Sequence, residues 1–156
     1  MPLEKTIEVV IKLAEQGTMK QYAITGAVAA LNYIQPTFTE DLDVLVSSPR
    51  WQEMGYTERS GVGIRIEGWP VQFLPVASPS DEEALINAID VEYKGVDSRF
   101  KARVLKPEYL VAAALKVGRL KDLARIDALL DEKAVNLTAL KAVLRRFDLM
   151  PAWDAY

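Results

Sequence analysis

The chain has 156 residues, half of them hydrophobic and 26% charged, with a formal net charge of −3, a balance that suits one folded domain around one core, read here as a single domain over residues 1–156. It contains neither cysteine nor histidine, which excludes disulfides, thiolate nucleophiles, zinc sites of the Cys/His kind, Ser-His-Asp triads and histidine general bases. Its mild acidity argues against a basic nucleic-acid clamp, so any RNA contact falls to a local patch and no DNA partner is expected.

Leu3, Ile7, Val10, Ile11 and Ala14 recur at helical spacing and Gly17 closes the run, which predicts an amphipathic helix over 3–16. Met1 to Lys5 leads straight into that pattern and no apolar run is long enough to span a bilayer, so a cytoplasmic protein with no membrane partner is expected. Residues 21–25 read as a strand ending at Gly26, and Ala27 to Ile34 as a short buried helix stopped by Pro36. Thr39 to Ser47 is β-prone through Leu42, Val44, Leu45 and Val46, and Arg50 to Met54 suits one or two helical turns.

Val62–Glu67 and Trp69–Val76 are strand-like runs around Gly68, which suggests a hairpin or a bulge. Ser80 to Glu83 has the form of a capping box, with Leu85, Ile86 and Ile89 following at helical spacing. Residues 91–105 read as polar and turn-containing, with a strand at 102–105. Pro107 and Glu108 suit the start of a helix that continues to about Lys133, and Leu137 to Phe147 forms the last one. The fold class expected is a mixed α/β (α+β) domain: a mixed sheet flanked by helices over 20–105 and a helical C-terminal third over 107–156.

The stretch with chemical content runs from Thr25-Gly26-Ala27 to Thr39-Glu40-Asp41-Leu42-Asp43-Val44. Residues two apart in a strand share a face, so the Asp41 and Asp43 carboxylates lie side by side. Like charges so placed favour a solvated face or a cation. All-oxygen ligation suits Mg²⁺ or Mn²⁺, which retain waters and take substrate phosphates. Gly26, opening a helix after a strand, offers backbone N–H groups to an anion. The plainer alternative is a pair of exposed strand-end carboxylates beside a turn glycine.

Thr25 to Val46 resembles the signature of the nucleotidyltransferase superfamily, the polymerase-β-type fold. It is most similar to a small bacterial branch that includes minimal nucleotidyltransferases and abortive-infection-type toxin enzymes. Gly26, Ala29, Thr39, Asp41, Leu42 and Asp43 fall in register with that signature. The resemblance implies Asp41 and Asp43 as catalytic metal ligands for Mg²⁺ or Mn²⁺. It further implies Gly26, Ala27 and Thr39 around the phosphates of an NTP, and transfer of an NMP to a protein or RNA hydroxyl. A cognate toxin or antitoxin protein is an implied partner.

Three positions depart from the pattern. Ala27 replaces a second Gly or Ser, and Thr37 stands where relatives often carry Arg. Gln72, in Trp69-Pro-Val-Gln-Phe-Leu74, occupies the place of a third carboxylate, for which Glu67 is a candidate substitute. Loss of that acid leaves a second class of function open, a catalytically impaired nucleotide- or partner-binding module.

Carried along one uninterrupted helix from Pro107 at about 100° per residue, Leu115, Leu120, Leu123, Ile126 and Leu130 form one face. Lys116 and Asp127 fall near its centre, Arg119 at its edge, and Lys121 and Arg125 toward solvent. Charges on an inward face require partners, here Arg119–Asp127 or Lys116–Asp127, or a role. Relatives carry a Lys…Arg-x-Lys-Asp…Asp pattern on this helix, which Lys116, Arg119, Lys121, Asp122 and Asp127 follow, and which implies Lys116 and Arg119 at the phosphates. Asp122 either anchors basic side chains or lies at the surface. Lys141, Arg145 and Arg146 read as a solvated face, and Trp51, Trp69 and Trp153 as packing residues.

Overall fold

The computed structural model describes residues 3–34, 41–47, 62–95 and 97–156. Thr37 and Thr39, the Arg50–Met54 turns and Trp51 lie outside them. Helix α1 (Leu3–Glu15) buries Ile7 and Val10, as its spacing predicts. Strand β1 (Gln21–Thr25) follows and passes into the five-residue helix α2 (Gly26–Ala30), shorter than the pattern of small apolar residues suggested. Strands β2 (Leu42–Ser47), β3 (Val62–Ile66) and β4 (Trp69–Pro75) come next. Glu67 and Gly68 both have positive φ, 53° and 79°, the pattern of a type I′ turn that joins β3 to β4 as a tight hairpin.

Helix α3 (Pro79–Ile86) starts two residues earlier than the capping-box reading. Its N-cap is Ser78, whose side chain accepts from Asp81 N, and Pro79 takes the first helical turn. Ser80 lies inside the helix instead. Residues 89–104 are a second hairpin, β5 (Ile89–Lys94) and β6 (Arg99–Val104). The β5 strand alternates Ile89, Val91 and Tyr93 with Asp90, Glu92 and Lys94, and none of the six is deeply buried; it is one of the two outer strands of the sheet.

The six strands form one mixed sheet in the order β3-β4-β2-β1-β6-β5. Strands β1 and β2 are antiparallel with Thr25 opposite Asp43. Strands β2 and β4 are parallel with Asp43 beside Gln72. Since side chains alternate, Thr25, Asp43 and Gln72 form one row on one face, and Leu45 and Leu74 lie two residues further along that same face. Leu42, Val44, Val71 and Phe73 point to the other face and are buried.

Beyond the sheet, α4 (Pro107–Val117), α5 (Leu120–Asp131), α6 (Leu137–Arg146) and α7 (Met150–Ala155) make the helical C-terminal part. The mixed sheet flanked by helices, with a helical C-terminal third, is the architecture expected. The uninterrupted helix from Pro107 to Lys133 is not. Gly118 adopts a left-handed conformation with φ 72° and caps α4, and Arg119 begins α5 anew. Such a cap is the ordinary use of glycine after a helix, and it resets the helical wheel. Leu120 is accordingly 87% exposed, and Asp127 is exposed too. Asp122, Ile126 and Leu129 form the buried face of α5.

Candidate functional site

The end of β1 and the beginning of β2 meet at Gly26 and Asp43. Gly26 has φ +65°, and a Cβ there would collide with Asp43 Oδ2 and come within 3.2 Å of Asp43 Cβ and Cγ. Two constraints therefore demand glycine: a backbone conformation that L side chains resist and a carboxylate packed against its Cα. Asp43 Oδ1 is buried and has no hydrogen-bond partner. Burial, and then the charge of Asp41, push the Asp43 carboxyl up to about 6. Arg125, Lys121 and Arg119 oppose that rise from α5 by electrostatic attraction alone.

Asp41 precedes β2 by one residue and acts on Asp43 through its charge. Gln72 lies beside Asp43 on the next strand and is exposed, so the amide does stand where a third acid was missing. Glu67 does not replace it: it sits in the hairpin turn and pairs with Lys5 Nζ at 3.6 Å. Among the described residues no three acidic side chains gather closely enough to hold an ion together.

Helix α2 presents its first turn at the same corner. Thr25 is its N-cap, with no side-chain hydrogen bond to the helix start. A helix leaves its first N–H groups without intrahelical partners, and the Thr25 side chain does not cap them. Helix α5 faces the acidic pair from the opposite side. Arg119, its N-cap, donates from Nε to Asp122 Oδ2 at 2.8 Å, while its backbone N–H donates to the same oxygen at 3.2 Å. Arg125 reaches Asp122 Oδ1 at 3.5 Å. Asp122 is only 2% exposed. Burial works to raise its carboxyl, but the hydrogen bond and charge of Arg119, helped by Arg125, hold it below the ordinary value.

Two sequence expectations change here. Arg119 pairs with Asp122, not Asp127, and Arg125 points inward to the same acid instead of to solvent. Of the two readings of Asp122, anchor of basic side chains or surface residue, the structure shows the anchor, holding Arg119 and Arg125 at the start of α5.

Lys116 also finds different company. Its Nζ donates to Ser80 Oγ at 2.8 Å, Asp81 Oδ1 at 2.9 Å and Ser78 Oγ at 3.3 Å. All three ammonium protons are directed at the start of α3, not at Asp127. On α6 Arg146 binds Glu83 through Nε and Nη2, and Glu83 accepts from Tyr109 Oη at 2.7 Å. One member of the basic trio at 141–146 is therefore a strut between α6 and α3.

No model of a known protein family matches the chain, and no curated protein is significantly similar to it. Among solved structures, an antigenic nucleotidyltransferase-like protein from Paracoccidioides brasiliensis is similar with a TM-score of 0.49 and 17% identity, covering 96% of this chain and 90% of its own. A likeness at that level transfers no role to an individual residue.

Proposed function

We propose that the chain is a metal-dependent nucleotidyltransferase that moves a nucleoside monophosphate from a nucleoside triphosphate to a hydroxyl of a protein or RNA acceptor. One observation carries the reading: the Asp43 carboxylate, packed on Gly26, keeps a buried oxygen without a partner beside the charge of Asp41. A buried acid usually finds a hydrogen bond or a counter-ion. The donors here are carboxylate and amide oxygens with no cysteine or histidine, which fits Mg²⁺ or Mn²⁺. Asp41 and Asp43 would hold the cation, with Gln72 beside them. When bound, such an ion polarises phosphoryl oxygens and offsets the charge of the phosphate chain.

The remaining residues act around the phosphates. On the resemblance, Gly26 and Ala27 would present backbone N–H groups to the phosphates at the corner where β1 ends. Arg119, largely exposed and within electrostatic reach of Asp41 and Asp43, is placed to stabilise phosphate charge while Asp122 fixes its orientation. Thr39 belongs to this set on the resemblance of the Thr-x-Asp-Leu-Asp string alone, as do the small bacterial toxin-like branch and a cognate toxin or antitoxin partner. The test is incubation with α-labelled NTPs and Mg²⁺, RNA and protein acceptors being resolved on gels. Label transfer that disappears in Asp41→Ala and in EDTA is expected. Label transfer that survives Asp41→Ala would sink the reading.

Gln72 favours a second reading, a catalytically impaired protein that binds a nucleotide or a partner. An amide supplies neither the negative charge nor the basicity of a third carboxylate. Mg²⁺-NTP that raises the thermal midpoint without any transfer to any acceptor is the outcome that selects it.

A further inference from the structure

A second cavity, of about 240 Å³, opens next to the acidic pair on the same face of the sheet. Its floor is Thr25, Leu45 and Leu74. Leu45 and Leu74 lie two residues beyond Asp43 and Gln72, which is about 7 Å along the strands. Its wall is α4, which presents Tyr109, Ala112, Ala113 and Lys116 at helical spacing. Ala84 of α3, with the two α4 alanines, leaves open a space that larger side chains would fill. Val117 lines the mouth and is 58% exposed, so a ligand has a way in. The volume falls below the usual range for a whole drug-sized ligand, roughly 300–1,000 Å³, and suits a single flat ring system.

Polar groups occupy one rim only. Lys116 and Asp81 are paired at 2.9 Å, so the rim has no net charge, and the ammonium has no proton left for a phosphate. Ser78 Oγ and Ser80 Oγ are 3.0 Å apart; one hydroxyl proton joins them and the other remains to be donated. Asp81 Oδ1 accepts from Lys116 and Oδ2 from Ala77 N–H, which leaves each carboxylate oxygen a further lone pair. A neutral, flat ligand with apolar faces and a donor–acceptor edge is what such a cavity accommodates.

We infer that this cavity receives the base of the nucleotide, with the Ser80–Asp81–Lys116 rim reading its edge. Lys116 is then a specificity residue on the base side, not a phosphate ligand. The inference rests on the phosphate site proposed above, since the cavity floor begins about 7 Å along the strands from the Asp43 row.

The experiment is calorimetric binding of Mg²⁺-tripolyphosphate, the four Mg²⁺-NTPs and the four free nucleosides to the wild type, Ala113→Phe and Lys116→Met. The wild type should bind at least one NTP tenfold or more tighter than tripolyphosphate. Filling the cavity in Ala113→Phe should erase that difference and leave tripolyphosphate affinity unchanged. Lys116→Met should reorder the four bases. A folded Ala113→Phe protein that keeps the NTP advantage overturns the inference, even if acceptor transfer is lost. So does a wild type that does not distinguish NTPs from tripolyphosphate. If Ala113→Phe does not fold, an unchanged base ranking in Lys116→Met overturns it. Nucleoside binding lost in Ala113→Phe, with no tripolyphosphate binding to any form, would keep the cavity assignment and remove the phosphate site instead.

Discussion

Asp43 on strand β2 and Asp122 in the first turn of α5 are both substantially buried acids, yet their surroundings are opposites. Asp122 accepts from Arg119 through side chain and backbone and from Arg125, and its carboxyl is held low. Asp43 has an oxygen with no partner, a second acid beside it, and a carboxyl raised to about 6. The first arrangement is complete within the chain and fixes the start of α5. The second lacks a partner among the described residues, and the proposed cation would complete it.

The largest effect is expected from Asp122→Ala. It removes an anchor shared by two arginines and the N-cap of α5, at a cost of about 2–3 kcal/mol, discounted because Arg119 is largely exposed. Urea unfolding would show it as a lower midpoint with an unchanged slope; an unchanged midpoint would remove the distinction between the two acids.

Asp43→Asn should act in the other direction. The folded-state value, near 6, lies above the ordinary 3.8, so the charged form is disfavoured in the fold. That penalty is complete above about pH 6, fades as pH falls toward 4, and amounts to about 2 kcal/mol. In the absence of Mg²⁺ the variant should therefore melt higher than the wild type at pH 7 and equally at pH 4. Equal melting at both values would show that Asp43 already has a partner.

Gly26→Ala tests the cradle. A positive φ and the collision with Asp43 should destabilise the fold by about 1–2 kcal/mol, and the displaced carboxylate should weaken Mg²⁺-NTP binding measured by thermal shift. Gln72→Asp is the mildest and most pointed change. A third acid beside Asp43 should lower stability without metal by about 1 kcal/mol and increase the stabilisation that Mg²⁺ gives. Stabilisation by Mg²⁺ that stays the same would place position 72 outside the cation site.

Much of this site was legible because its signals are local. Gly26 and the Asp41-Leu42-Asp43 string each require only strand alternation and turn geometry to interpret. The registers Thr25↔Asp43 and Asp43↔Gln72 add the spatial link, and the resemblance anticipated Gln72. The helix-borne residues were less legible because a wheel assumes continuity. One left-handed glycine at 118 moved Leu120 and Asp127 to solvent and turned Asp122 and Arg125 inward. Lys116 was placed on the right helix but paired with the wrong acid, since its partners come from α3, 35 to 38 residues away. Strand β5 is hidden because Ile89 also fits the helical spacing of Leu85 and Ile86, although Ile89, Val91 and Tyr93 alternate with Asp90, Glu92 and Lys94.

The order of strands across the sheet has a consequence for how the protein forms. Strand β1 lies between β2 and β6, its parallel partner, with Ile24 aligned to Val104. The acidic corner draws on residues 25, 43 and 72, and its neighbour β6 on residue 104. A ribosome must therefore release roughly two-thirds of the chain before β1 has both of its neighbours. Pairings of that span close slowly because chain entropy is lost before the contacts repay it. The α4–α7 segment, which follows β6 in the chain and is rich in local contacts, emerges after every strand of the sheet.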